Sequence, residues 1–264
     1  MSTMRSEERW VAKCVERALV GTRVHQHDDG SRPSMYDLDL IRNGAAFGAM
    51  EVTAAADADP IELWNLINGS GRRWVESDLA GGWFISVAPT AKVKRLKEQL
   101  PELLRTLETP TDGSEREWAV AELGALGVHA AHHGDTSIRG SIYVTVEQDP
   151  VRTGGVVPTT GNGLVKWFDE WVRGEAQEHN LRKLRVSARD QKHLFVLLPG
   201  FTTAPFIASD VLMRPDGPLP DVAPALPEGI TDVWFMSTWS VGDLFHFGSD
   251  HWRRSPKVLD DDRG

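Results

Sequence analysis

Apolar and polar residues alternate with two different periods along the chain, and each change of period predicts a helix or a strand. Apolar residues at helical spacing predict helices over 6–19, 92–107 and 164–184. Short, mostly apolar runs predict strands over 22–27, 83–88, 141–148, 193–198, 232–237 and 244–247. The run 83–88 has the composition of a strand buried on both faces.

A further helix is predicted to begin at Asp59, which is followed by Pro60 and, three residues after the cap, by Glu62. Trp74, Val75 and Leu79 extend its apolar stripe until two glycines end it. The stretch 117–127 is ambiguous between helix and strand.

The dipeptide Asn43-Gly44 separates two strand-like segments, and Asn-Gly is among the strongest hairpin signals because both residues tolerate positive φ. Asp37 lies in the first arm and Glu51 in the second. A regular two-residue loop would direct these side chains to opposite faces, since a slip of one residue reverses a strand's faces. We expect a three-residue loop, or a bulge with the same effect, which would place both carboxylates on one face.

The order of these elements predicts an α/β protein with a mixed central sheet flanked by helices. Residues 6–88 give the order helix, strand, strand, strand, helix, strand, and a C-terminal αβαββ extension follows. We predict a core over 1–108, an extension over 109–264 packed with it into one compact unit, and a disordered tail over 258–264. The Pro/Gly/Thr-rich stretch 149–163 is the best candidate for an internal boundary.

Composition narrows the class of protein. With 264 residues, 41% of them hydrophobic and 25% charged, the chain can bury a sizeable core. No apolar run is long enough for a membrane span, and the first ten residues lack a signal-peptide segment, so we expect a cytoplasmic protein without a membrane partner. The lone cysteine, Cys14, lies on an apolar helical stripe and is expected to be buried. The net charge of −9 argues against broad electrostatic binding to nucleic acid but leaves room for a local basic groove.

Two carboxylates on adjacent strands suit a hard divalent cation. Mg²⁺ takes oxygen ligands, commonly one or two carboxylates together with waters and substrate phosphates. A cation held there by Asp37 and Glu51 would polarise a phosphate and acidify a bound water. The hairpin therefore predicts a Mg²⁺ or Mn²⁺ site that acts on phosphodiesters.

Asp37, Glu51 fourteen residues later, and then Val52 and Thr53 resemble the motif of the PD-(D/E)XK restriction-endonuclease-like superfamily. The element order of residues 6–88 is similar to that superfamily's common core, so the resemblance covers about a third of the chain. It implies a metal-dependent nuclease that acts on nucleic acid, with Asp37 and Glu51 as metal ligands. Farther along, three segments resemble a group of actinobacterial proteins of uncharacterised function: NLRKL, HLFVLL and LPEGITDVWF.

The chain departs from the family motif at two positions. Tyr36 stands where the family has proline, and Thr53 stands where it has the lysine that orients the attacking water. Threonine carries no charge and cannot replace a lysine electrostatically. We therefore expect Thr53 beside the water and a lysine from elsewhere, Lys183 on the late helix or, as a weaker candidate, Lys13.

A glutamate of the first helix, Glu8, is the expected additional metal ligand. Both Glu8 and Glu16 lie near the apolar face of that helix, where a solvated flank is the ordinary role.

Two other functions remain open at this level. The first is a catalytically inactive nuclease-fold protein that acts as a binding or regulatory subunit, as a homodimer or with a protein partner, through aromatic anchors such as Trp239 and Trp252. The second is a metal hydrolase built on His129, His132 and His133 with Asp135. Their i, i+3, i+4 spacing converges only on a helix, and the glycines around them favour a loop or strand edge.

Overall fold

The computed structural model describes residues 4–56, 74–109, 113–134, 136–147, 154–199, 202–238 and 240–258. Its helices are α1 (Ser6–Ala18), α2 (Val93–Glu108), α3 (Gly113–Ala125), α4 (Asn162–Trp171), α5 (Glu175–Arg185) and α6 (Phe206–Ser209). Its strands are β1 (Thr22–Gln26), β2 (Leu38–Arg42), β3 (Ala45–Ala54), β4 (Trp74–Val75), β5 (Trp83–Val87), β6 (Val128–His133), β7 (Ser141–Val146), β8 (Gln191–Leu198), β9 (Asp232–Ser237), β10 (Leu244–Gly248) and β11 (His251–Ser255). Short 3₁₀ turns lie at Thr136–Ile138 and Asp210–Leu212. No described helix is long and apolar enough to cross a membrane.

The chain divides into two compact units. Unit 1 contains Met1–Ala55 and Val151–Gly264, and unit 2 contains Ala56–Pro150. This division differs from the predicted boundary at residue 108, because β3 in the first part of the chain pairs along its length with β8 in the last part. The later boundary falls inside the stretch 149–163, which the sequence marks as a connection.

Within the described residues, unit 1 is built on one mixed sheet in the order β1-β2-β3-β8-β9-β10-β11. The pairs β3–β8 and β8–β9 are parallel, and the other pairs are antiparallel. Helices cover both faces: apolar residues of α1 pack with Phe195 and Trp234 on one side, and those of α4 and α5 pack with Phe235 on the other. The predicted mixed sheet flanked by helices is confirmed.

Helix α1 forms as its apolar spacing predicts, and its first turn carries its own cap. Arg5 is the N-cap residue, and the Glu8 side chain accepts a hydrogen bond from the Arg5 backbone N–H at 2.9 Å, which satisfies a group that the helix leaves unpaired. Val11, Cys14 and Val15 are fully buried, so the expected burial of Cys14 is confirmed.

The hairpin between β2 and β3 has a two-residue loop, so the three-residue loop is wrong and the alternative bulge is correct. Asn43 and Gly44 both have positive φ, 52° and 79°, as a type I′ turn requires. The register then shifts between Leu40 and Ile41, so that Leu38 pairs with Met50 and Asp39 with Ala49. This bulge adds one residue to the second arm. Beyond the bulge, each side chain of that arm therefore points to the face opposite to the one it would take in a regular hairpin.

Unit 2 contains a four-stranded sheet in the order β4-β7-β5-β6 among its described residues, with α2 and α3 contributing to its core. Strand β5 alternates buried and accessible positions, so the expectation of burial on both faces is wrong. Its place in this sheet also removes 83–88 as the last strand of the predicted αβββαβ core. Trp74 and Val75 form strand β4 rather than a helix, because they pair with β7.

Several other predicted elements can be compared directly. The ambiguous stretch 117–127 lies largely in α3, and α2 continues through Pro101. The helix predicted over 164–184 is divided into α4 and α5 around Gly174. The helix start at Asp59 lies outside the described residues.

At the C-terminus, residues 259–264 of the predicted tail also lie outside the described part. Val258, the first residue of that predicted tail, is described, and its carbonyl accepts a hydrogen bond from Trp10 at 2.6 Å.

Candidate active site

The bulged hairpin brings Asp37 and Glu51 close together. Glu51 lies two positions after Ala49 on β3 and shares its face, and Asp37, in a bend just before β2, accepts a hydrogen bond from the backbone N–H of Val52, the residue after Glu51. Both residues are buried, with 4% and 2% of their surface exposed. Two carboxylates at this depth repel each other unless a proton or a cation compensates their charge.

Asp37 is held at both of its carboxylate oxygens. The backbone N–H of Val52 donates to Oδ2 at 2.7 Å, and the guanidinium of Arg5 lies 3.5 Å from Oδ1. Burial raises the pKa of Asp37 above its usual value, and the Glu8 carboxylate acts in the same direction, against the Val52 hydrogen bond. The hydrogen bond to the strand fixes the orientation of this carboxylate.

Glu51 contacts a lysine from a distant part of the chain. Lys183 of α5 donates from Nζ to Oε1 at 2.7 Å, and its own side chain is mostly buried. The other oxygen, Oε2, is buried and has no hydrogen-bond partner among the described residues. Burial, followed by repulsion from Asp37, raises the pKa of Glu51 to about 8, although Lys183 opposes the shift.

Glu8 reaches the same cluster through Arg5. The Arg5 guanidinium forms ion pairs with Glu8 and with Asp37, and the Arg5 side chain is 64% exposed while that of Glu8 is 8% exposed. Arg5 therefore links two of the predicted metal ligands, Glu8 and Asp37, and Asp37 lies near the third, Glu51.

Thr53 lies two positions after Glu51 on β3 and contacts α5. Asn180 donates from Nδ2 to the Thr53 hydroxyl at 3.2 Å and lies 3.5 Å from the side-chain oxygen of Gln177. Gln177, Asn180 and Lys183 recur every third residue, so they follow one side of the helix. Lys183 and Thr53 are predicted from the sequence, whereas Arg5, Gln177 and Asn180 are not. Polar residues at helical spacing beside the apolar stripe of α5 are the signal that could have identified the last two.

Asp39 belongs to a neighbouring network. Its carboxylate accepts hydrogen bonds from Tyr36 at 2.8 Å and Arg189 at 3.1 Å, and it contacts His27 at 2.9 Å. Burial raises the pKa of Asp39, but the hydrogen bonds from Tyr36 and His27 outweigh this effect and lower it. With these partners Asp39 stays ionised at neutral pH.

The histidines of unit 2 do not form the helical cluster that their spacing allows. They lie on strand β6, where successive side chains point to opposite faces. His129 contacts Glu147, whereas His133 contacts Glu108 at 3.3 Å. Asp135, the proposed fourth member, lies outside the described residues.

Comparisons with protein-family models, with curated proteins and with solved structures gave no match. Three buried carboxylates share a region with one lysine and one arginine, which is an oxygen-rich donor set suited to a hard divalent cation.

Proposed function

We propose that this chain is a Mg²⁺- or Mn²⁺-dependent nuclease of the PD-(D/E)XK type, in which Lys183 replaces the lysine that the motif lacks at Thr53. The observation that carries the proposal is the 2.7 Å contact of Lys183 Nζ with Glu51 Oε1, beside Asp37. A charged amine there can orient a nucleophilic water, which a threonine hydroxyl cannot do electrostatically.

The topology of unit 1 supports the same proposal. The order α1, β1, β2, β3, α5, β8 has the helix–strand–strand–strand–helix–strand pattern that the resemblance implies, with β8 as its last strand. Unit 2 and α4 lie between β3 and α5 in sequence. This insertion explains why the lysine is separated from the acidic residues along the chain.

The residues present fit a divalent cation. Asp37 and Glu51 would hold it, and Glu51 Oε2 is a buried acceptor with no hydrogen bond among the described residues. Glu8 would become a third ligand only by giving up its contacts with Arg5. When bound, Mg²⁺ polarises the scissile phosphate and lowers the pKa of a coordinated water. The chain itself contributes the positioning of Asp37 by Val52 and the positive charge of Lys183.

An inactive nuclease-fold protein that binds a partner is the second candidate. The observation that favours it is burial: Asp37 and Glu51 are 4% and 2% exposed, and Arg5 and Lys183 already contact them. Such a cluster can serve stability or partner binding without turnover.

Cleavage assays separate the two candidates. Supercoiled plasmid and single- and double-stranded oligonucleotides are incubated with Mg²⁺ or Mn²⁺ and with the wild type, Glu51→Gln or Glu7→Gln. Glu7 is an exposed residue of α1 and serves as the matched control. We expect Glu51→Gln to lose at least about 100-fold in rate while Glu7→Gln retains the wild-type rate. Equal rates in all three proteins would count against the proposal, because Glu51 would then have no role in cleavage. No cleavage of any substrate would support the inactive candidate.

A further inference from the structure

Strands β8, β9 and β10 bring two histidines and an aspartate together on the face of the sheet opposite to Glu51. His193 pairs directly with Asp232, and His246 pairs with Trp234, two residues after Asp232, so all three side chains share one face. His193 also pairs with Met50 of β3, whose side chain points away from that of its neighbour Glu51. The cluster is therefore separate from the candidate active site.

The ligand atoms of the three residues lie close together and are buried. One atom from each residue falls within 4.8 Å of the other two. Asp232 Oδ1 lies 2.8 Å from His246 Nε2 and 3.7 Å from His193 Nδ1, and the three residues are 8%, 6% and 1% exposed in that order. The second distance is too long for a hydrogen bond, yet it is close to the ~3.3 Å that separates two ligands of one tetrahedral zinc ion.

Gly248 allows two of these ligand atoms to approach the backbone closely. A Cβ atom at this position would lie 2.0 Å from Asp232 Oδ1 and 2.9 Å from His246 Nε2. The φ angle of Gly248 lies outside the left-handed region, so the backbone conformation does not require glycine. The requirement for glycine is steric, because two potential ligand atoms occupy the position that a side chain would need.

The charge balance of the cluster also favours a bound cation. Among the described residues, Asp232 forms ion pairs with His193 and His246. It also accepts a hydrogen bond from the Thr231 hydroxyl at 2.6 Å. A buried carboxylate is costly without a compensating positive charge. Two imidazoles and one carboxylate form a donor set that zinc and related divalent ions prefer, with a further coordination position left for water.

We propose that His193, Asp232 and His246 form a second metal site, which binds a divalent transition ion of the zinc type through His193 Nδ1, Asp232 Oδ1 and His246 Nε2. Binding replaces two present contacts: the hydrogen bond from Trp234 Nε1 to His193 Nδ1, at 3.1 Å, and the contact between Asp232 and His246. His246 remains stacked on the Trp234 ring, 3.6 Å between centroids, which limits its movement.

Zinc binding to the full chain tests the proposal. The protein used carries His129→Gln and His132→Gln, which remove two exposed imidazoles able to bind zinc nonspecifically. It is treated with EDTA, dialysed and titrated with Zn²⁺ by calorimetry. We expect one zinc ion per chain in this background, an affinity at least 100-fold weaker after Asp232→Asn, and unchanged binding after Glu51→Gln. Loss of the zinc ion in Glu51→Gln instead would assign it to the first site and overturn the proposal.

X-ray absorption of the zinc-loaded chain provides a readout that does not depend on a variant folding. We expect a first shell of nitrogen and oxygen with two imidazoles and no sulfur. A different number of imidazoles, or no bound zinc, would leave a hydrogen-bonded His–Asp–His network only and would overturn the proposal.

Discussion

Lys183 Nζ lies 2.7 Å from Glu51 Oε1, although the two residues are 132 positions apart in the sequence. The parallel pairing of β3 with β8 makes this possible, because α5 immediately precedes β8 and packs on β3. Lys183 on α5 can thereby supply, beside Glu51, the positive charge that Thr53 at the motif position lacks.

Replacement of Lys183 by methionine is the direct test of its role. The substitution keeps the length of the side chain but removes the charge that accompanies Glu51, so we expect a loss of at least about 100-fold in cleavage rate. Lys183→Arg should recover part of that rate, since it restores a positive charge with different geometry. The rate is measured with a labelled oligonucleotide at saturating Mg²⁺.

Lys166→Met on α4 is the control, because Lys166 is exposed and belongs to unit 1. Circular dichroism shows whether each variant is folded. A folded Lys183→Met protein that cleaves at the wild-type rate would remove Lys183 from the mechanism.

The binding of Mg²⁺ should release a proton from Glu51. Its pKa of about 8 means that this carboxyl is mostly protonated at pH 7, whereas a metal ligand must be ionised. The apparent affinity for Mg²⁺ should therefore rise by up to tenfold per pH unit between about pH 6 and pH 8, and level off at higher pH. Calorimetry at pH 7 in Hepes and in Tris, which differ in ionisation enthalpy, measures the released proton.

Glu51→Gln has no proton to release and serves as the control for this measurement. A binding heat that does not change with the buffer in the wild type would show that Glu51 is already ionised at pH 7.

The hairpin turn should be sensitive to Gly44. Its φ of 79° is unfavourable for a residue with a Cβ atom, and a Cβ placed there meets nothing within 4 Å, so the cost is backbone strain rather than a clash. We expect Gly44→Ala to lower the free energy of unfolding by about 1–2 kcal/mol. Gly44→Asn should cost less, since asparagine tolerates this conformation. Urea denaturation of the three proteins measures the difference, and equal losses for Ala and Asn would contradict the argument.

Local patterns predict much of unit 1 but not its pairing. The apolar spacing of α1 and the runs at β8, β9 and β10 identify these elements correctly, and Asn43-Gly44 locates the hairpin. The periodicity of a strand does not state which strand lies beside it. The order of elements alone therefore predicts that the run 83–88 lies in the main sheet, where β8 is found instead.

The residues of the candidate site also divide into those that the sequence predicts and those that depend on distant contacts. Asp37 and Glu51 follow from the hairpin, because a bulge is a local feature and its effect on the faces can be anticipated. Arg5 could not be selected from the sequence, since its role depends on a contact across 32 positions. Helical spacing marks Asn180 as a candidate but does not reveal its partner Thr53, which is 127 positions away. The sequence includes Lys183 as a candidate but provides no distance.

Arg5 should compete with the metal ion for the carboxylates. Its guanidinium contacts both Glu8 and Asp37, so it occupies the negative potential that a cation would use, and its exposure means that moving it into solvent is inexpensive. We expect Arg5→Ala to bind Mg²⁺ about 3- to 10-fold more tightly in calorimetry, since the pair that must be broken is worth about 1 kcal/mol. Arg9→Ala removes the same charge from an exposed position of α1 and controls for the general electrostatic effect. Weaker binding in Arg5→Ala alone would mean that Arg5 instead orients Glu8 and Asp37 for the ion, and its capping contact with Glu8 would then be part of the metal site.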